Sequence, residues 1–176
     1  MKEMIYLIGF MGAGKSTIAP VLAKNLGLDW VDTDELIEEK VGLSIPEIFE
    51  YYGEERFREI ERGIIKEVSR SDAKVVAVGG GAPMNETNWH LMKATGTVVY
   101  LEIGPGEALD RIGSDGNRPL LSELTEKQKE KKIQELLKSR HPRYNKADHV
   151  VPCNGKGTSA IAKEITNSLL EENEQG

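Results

Sequence analysis

The stretch Gly9-Phe10-Met11-Gly12-Ala13-Gly14-Lys15-Ser16 decides how this chain is read. It matches the pattern G-x-x-x-x-G-K-[ST] in full. Before it, residues 5–8 form a short apolar run suited to a buried strand. After it, residues 15–26 carry Ile18, Val21, Leu22 and Leu26 on one helical face, and Gly27 stops the helix. Glycines in such a turn let consecutive backbone N–H groups face one phosphate with no Cβ in the way. The helix that follows aims its positive end at the same phosphate. Lys15 then reaches the outer phosphates, and the Ser16 hydroxyl is placed for Mg²⁺. The expected nucleotide contacts are Gly12, Ala13, Gly14, Lys15, Ser16 and Thr17. A glycine-rich turn without a ligand would not require Lys and Ser at these two offsets. Pro20 sits oddly inside the helix, where it removes a backbone hydrogen bond and should introduce a kink unless it falls in about the first turn, where the cost is small.

Outward from this loop, strands and helices alternate. A second strand is predicted at 30–32, followed by a helix to about 41 that Gly42 ends. Ser44-Ile45-Pro46-Glu47 is a capping-box pattern with Pro in the first turn. It opens a helical region to about 70, broken near Gly53. Further strands are predicted at 75–78, 98–103 and 149–151. Between the last two lie a helix from about 106, a Gly/Asn/Pro-containing segment at 113–121, and a charged helix from about 126. A last helix at 158–171 buries Ile161, Ile165 and Leu169, and the polar tail at 171–176 is expected to fray. The strands are apolar runs without period-two alternation, as in a parallel sheet covered on both faces. The fold class is α/β, a three-layer sandwich.

Composition limits the partners. The chain has 176 residues, 39% hydrophobic and 30% charged, which fits one domain over 1–176. Lys plus Arg is 23 and Asp plus Glu 29, a net charge of −6. Such a chain has no general pull toward nucleic acid or anionic membrane, so an anionic ligand needs local positive groups. Cys153 is the sole cysteine, which excludes an internal disulfide and suits a reducing compartment. The N-terminal apolar stretch is too short for a membrane span and lacks signal-peptide layout, so a cytoplasmic location is expected.

Two short matches point elsewhere. Asn145-Lys146-Ala147-Asp148 and Asp110-Arg111-Ile112-Gly113 match the N-K-x-D and D-x-x-G patterns of GTPases. Their contexts are wrong. Asn145 follows a charged helix instead of a strand, and Asp110 lies well inside a helix instead of at a strand end.

A second constellation accompanies the phosphate loop. Asp32-Thr33-Asp34 closes the second predicted strand, and ligands of parallel sheets bind at the carboxyl ends of strands. The third strand ends in Gly79-Gly80-Gly81, which permits close approach of a ligand but supplies no acid. Asp32 is therefore the better metal helper, together with Ser16. Helix N-capping is the competing role for these aspartates.

In order, the chain presents Gly9 to Thr17, Asp32 to Asp34, Phe57-Arg58, Gly79 to Gly81, Arg118-Pro119-Leu120-Leu121, and Arg140-His141-Pro142-Arg143-Tyr144. This series resembles the ordered pattern of the shikimate kinases and spans about residues 5–151. The resemblance implies a P-loop kinase of the nucleoside-monophosphate-kinase type. Its sheet is five-stranded and parallel in the order 2-3-1-4-5, with a substrate-binding helical region at about 33–61 and a mobile lid at about 113–124. It implies a monomer that transfers the ATP γ-phosphoryl group, with Mg²⁺, to the 3-hydroxyl of shikimate, within chorismate and aromatic amino acid biosynthesis. By similarity, Arg58 and Arg140 hold the substrate carboxylate. Gly79, Gly80 and Gly81 line the substrate, and Asp34 accepts hydrogen bonds from its hydroxyls. Lys15, Asp34 and Arg118 are the catalytic set, with Arg118 the lid arginine that also touches nucleotide. Arg111 resembles a residue flanking adenine. Pro152-Cys153-Asn154-Gly155-Lys156 departs from the family's adenine-side pattern, and Cys153 is expected beside the adenine. Gluconate kinase and a non-catalytic nucleotide-binding regulator are the alternatives.

Overall fold

A computed structural model describes residues 4–72, 74–113 and 119–175, with side chains through Glu171. Its centre is a parallel sheet of β1 (Met4–Ile8), β2 (Asp29–Asp32), β3 (Lys74–Ala77), β4 (Gly96–Glu102) and β5 (His149–Pro152), in the order β2-β3-β1-β4-β5. β1 lies in the middle, pairing Ile5 with Val75 on one side and Thr97 on the other. Every residue of β1 is buried, because helices cover both faces. The expected strand order therefore holds, and the strand ends shift by one or two residues.

The helices are α1 (Lys15–Leu26), α2 (Thr33–Val41), α3 (Ile45–Val68), α4 (Glu86–Thr95), α5 (Pro105–Ile112), α6 (Glu126–Tyr144) and α7 (Thr158–Gln175). Local chemistry sets their ends. Gly14 starts α1 at φ 92, and the Ser44–Glu47 capping box opens α3. Gly53, at φ 79 and ψ 169, breaks α3 as expected. α1 runs through Pro20 as one helix. The missing N–H of Pro20 costs a single bond, to the Ser16 carbonyl. α7 continues to Gln175 where fraying was expected from Glu171, because no helix breaker precedes Gly176.

No element is expected at 82–95 from the sequence pattern. The structure places a 3₁₀ turn at Ala82–Met84 and then α4, whose N-cap is Asn85, accepting from the Asn88 N–H at 3.1 Å. Only Asn88, Trp89 and Met92 of α4 are buried, too few to print a helical period. The N-K-x-D segment has a structural use. Asp148 accepts the Val98 N–H at 2.8 Å and pairs with Lys93, tying β4 to the turn before β5.

Candidate active site

The carboxyl ends of β1, β2 and β3 meet at two adjoining clefts. The first, about 430 Å³, is lined by Gly12 to Thr17 together with Asp32, Asp34 and Arg111. The second, about 330 Å³, is lined by Asp34, Phe49, Phe57, Arg58, Glu61, Gly79 to Gly81 and Arg140, among others. Met11, Ser16, Asp32, Asp34, Gly79 and Gly80 border both. A phosphoryl donor in the first and an acceptor in the second would therefore meet beside Asp34 and Ser16.

In the first cleft, Lys15 Nζ donates to the carbonyls of Gly9 at 2.6 Å and Phe10 at 3.1 Å, which holds the ammonium across its own loop. The two oxygens of Asp32 are divided. Oδ1 caps α2, accepting the N–H of Asp34 at 2.8 Å, and Oδ2 accepts the Ser16 hydroxyl. The capping role foreseen for the aspartates thus falls to Asp32, while Asp34 stands on the first turn of α2 and borders both clefts. Ser16 and Asp32 together present hard oxygen donors, the set that suits Mg²⁺ bound chiefly through phosphates and water. Among the described residues there is no cluster of three or more His, Cys, Asp or Glu that could hold a metal unaided.

In the second cleft, two guanidiniums approach the triple glycine. A Cβ on Gly81 would lie 2.6 Å from Arg58 Nη2, the far end of a flexible side chain, so a larger residue there would push the guanidinium off the turn. A Cβ on Gly80 would lie 3.2 Å from Arg140 Nη1. Arg140 is 6% exposed, packs over the Phe10 ring at 5.6 Å, and its Nη1 has no hydrogen-bond partner among the described residues. A buried donor in that state is suited to an anionic acceptor. Phe49 and Phe57, with ring centroids 4.7 Å apart, supply an apolar wall.

The model of the family described as shikimate kinase matches residues 11–170. The chain belongs to the shikimate kinase family. A shikimate kinase of Moorella thermoacetica is 41% identical over 169 residues, covering 96% of this chain and 95% of that protein. One from a Sulfurihydrogenibium species is 42% identical over 165 residues, covering 94% and 96%. The structure of an Acinetobacter baumannii shikimate kinase in complex with shikimate superposes with a TM-score of 0.92 at 38% identity, covering 97% of this chain and 94% of that one.

Arg118 lies outside the described residues. Arg111 borders the nucleotide cleft, but its guanidinium reaches back to the carbonyls of Gly12 at 3.1 Å and Ala13 at 3.3 Å and pairs with Glu107. It braces the phosphate loop from outside. Cys153 does not face the cleft: it is fully buried, its Sγ donates to the Val151 carbonyl at 3.2 Å, and burial pushes the thiol up to about 11. The loop after β5 offers Lys156 and Gly157 to the cleft instead, and α7 adds Thr158 and Ile161. The sequence reading also leaves Glu61 unmarked. It is 1% exposed, and its Oε1 accepts from Arg58 Nη1 at 2.9 Å. Its spacing of three from Arg58 is the one signal that could have drawn attention to it.

Proposed function

We propose that this chain transfers the γ-phosphoryl group of ATP to the 3-hydroxyl of shikimate, giving 3-phosphoshikimate and ADP. The observation that carries the reading is the convergence of Arg58 and Arg140 on the triple glycine, in a cleft that shares Asp34 with the phosphate loop. In an acidic protein, two guanidiniums at one cleft end form a local site for a carboxylate. Asp34, at the cleft junction, accepts the hydrogen bond of the attacking hydroxyl and orients it. Phosphoryl transfer proceeds through a loose transition state that asks for alignment and charge stabilisation more than for a strong base. Lys15 and the loop N–H groups hold the outer phosphates. Mg²⁺, held by Ser16 and Asp32 on the protein side, would neutralise phosphate charge. Arg118 is assigned the transferring phosphoryl group from the sequence pattern, within a lid over 113–124.

The single domain over 1–176, the substrate-binding region at 33–61, the monomeric state and the cytoplasmic location belong to the same reading. No helix among the described residues is long and apolar enough to cross a membrane. A coupled ADP-release assay with shikimate, quinate, gluconate and nucleoside monophosphates tests the assignment. Turnover is expected with shikimate and Mg·ATP. Preference for gluconate or a nucleotide would overturn the substrate, and no turnover with any acceptor would return the chain to a nucleotide-binding role.

A further inference from the structure

Glu61 lies behind the carboxylate clamp. It stands on α3, three residues beyond Arg58, with only 1% of its surface exposed. Oε1 is held by Arg58, whereas Oε2 is buried and has no hydrogen-bond partner among the described residues. Oε2 lies 2.9 Å from the position of a Cβ on Gly79, and Asp34 Oδ1 lies 3.0 Å from the same point. Two carboxylate oxygens thus flank one glycine. Like charges so placed, with one of them dry, favour a proton on the drier group.

The charge balance of the cleft sets what a ligand must do. From α3 come Arg58 and Glu61, with the exposed Glu54 3.5 Å from Arg58. From α2 come Asp34 and, at the cleft's edge, Glu35 and Glu38. From α6 come Arg140 and the buried Tyr144, whose phenol burial pushes up and keeps neutral. Ala82–Met84 and the glycine turn bring no titratable side chain. Among the described residues, the inner shell therefore brings the guanidiniums of Arg58 and Arg140 together with the carboxyl groups of Asp34 and Glu61. A substrate carboxylate adds a third acid facing two cations, in a place where Glu61 is cut off from water.

We infer that Glu61 takes up a proton when the substrate carboxylate binds, so that shikimate binding near neutral pH is coupled to the protonation of a buried residue at the cleft wall. Glu61 is then a positioning residue in two states. Charged, it competes for Arg58; protonated, it retains a hydrogen bond through Oε1 and releases the guanidinium's charge to the ligand. Burial, only partly offset by Arg58, pushes Glu61 up to about 7 before any ligand arrives, so the proton is exchangeable in the working range. A bound carboxylate raises it further. Between the two values each pH unit weakens binding, by up to tenfold.

This inference rests on the shikimate reading, and its test separates the two. Shikimate binding to the intact protein is measured by titration calorimetry at pH 7.5 in buffers of different ionisation enthalpy. The expected result is a heat that varies with buffer and corresponds to uptake of up to one proton. Binding with a buffer-independent heat overturns the inference and leaves the substrate reading standing. No binding in any buffer overturns both. Glu61→Gln carries the shape of the protonated state and cannot titrate. It is expected to lose the proton uptake and to bind shikimate at pH 8 as tightly as wild type or tighter, with a flattened pH profile of kcat/KM. Glu61→Ala, which removes the support of Arg58, is expected to raise KM at every pH. Proton uptake that persists in Glu61→Gln, or a weakening equal to that of Glu61→Ala, would make Glu61 a plain structural anchor.

Discussion

Tyr144 donates its hydroxyl proton to the carbonyl of Gly80 at 2.5 Å. This bond joins the end of α6 to the peptide between Gly80 and Gly81, against which both guanidiniums of the clamp pack. Tyr144 lies one helical turn beyond Arg140, so α6 carries a clamp arginine and the group that fixes its floor on one face.

Tyr144→Phe should leave that carbonyl without its donor and cost about 1 kcal/mol of stability. The turn would also lose its fixed orientation. The expected kinetic signature is a raised KM for shikimate with kcat largely retained, read from steady-state rates beside urea unfolding. A fall in kcat at unchanged KM would place Tyr144 in the chemical step instead.

Lys15→Ala and Asp34→Asn should each lower kcat by about 10²-fold or more, with the circular dichroism spectrum unchanged. The first removes the cation at the phosphate loop, and the second removes the acceptor at the cleft junction. A folded variant working at near wild-type rate would withdraw the role given to that residue.

Arg140→Ala and Arg58→Ala should both weaken shikimate binding about tenfold to a few hundredfold, leaving ATP binding nearly unchanged. Their stabilities should part. Among the described residues, removing Arg140 discards a buried donor with no hydrogen-bond partner at Nη1, whereas removing Arg58 strips Glu61 of its ion-pair partner. Arg58→Ala is therefore expected to be the less stable variant above pH 7, by denaturant midpoint. A methyl ester of shikimate that binds as well as the acid would remove the clamp altogether.

What was legible in the sequence follows from locality. The phosphate loop, the capping box at Ser44 and the break at Gly53 each depend on a few consecutive residues, so pattern alone placed them. The strand order was available through family resemblance. Glu61 was not legible, because Arg56 to Arg62 reads as a charged helix face and only the packed fold shows that one carboxyl of that run is dry. Cys153 was misplaced for a similar reason. Its position after β5 was right, but the backbone turns the thiol into the core and hands the cleft to Lys156 and Gly157.

Cys153 accordingly gives a changed expectation for alkylation. A buried thiol raised to about 11 holds far less thiolate at neutral pH than a free cysteine. Labelling by iodoacetamide, followed by mass spectrometry, should be slower than for a small free thiol by about 10²-fold or more. It should accelerate in mild denaturant. Rapid labelling that saturating MgADP blocks would return the thiol to the nucleotide cleft.

Glu61 is raised from 4.5 to about 7 by burial, against the pull of Arg58. In the unfolded chain it returns to its ordinary value, so between these limits the folded protein holds the extra proton. Stability then falls as pH rises, because the state that binds more protons is favoured at low pH. The contribution is fully present below about 4.5 and lost by the time pH passes 7, with a size of about 3 kcal/mol. The useful quantity is a difference between two proteins that share every other ionisable group. Urea unfolding of wild type and Glu61→Gln, compared at pH 5 and pH 8, isolates this one group. The wild-type protein should lose stability relative to the variant by about 2–3 kcal/mol across that interval. The opposite slope would mean that the Arg58 ion pair outweighs desolvation and that Glu61 is charged throughout. A flat difference would mean that water reaches the carboxyl group.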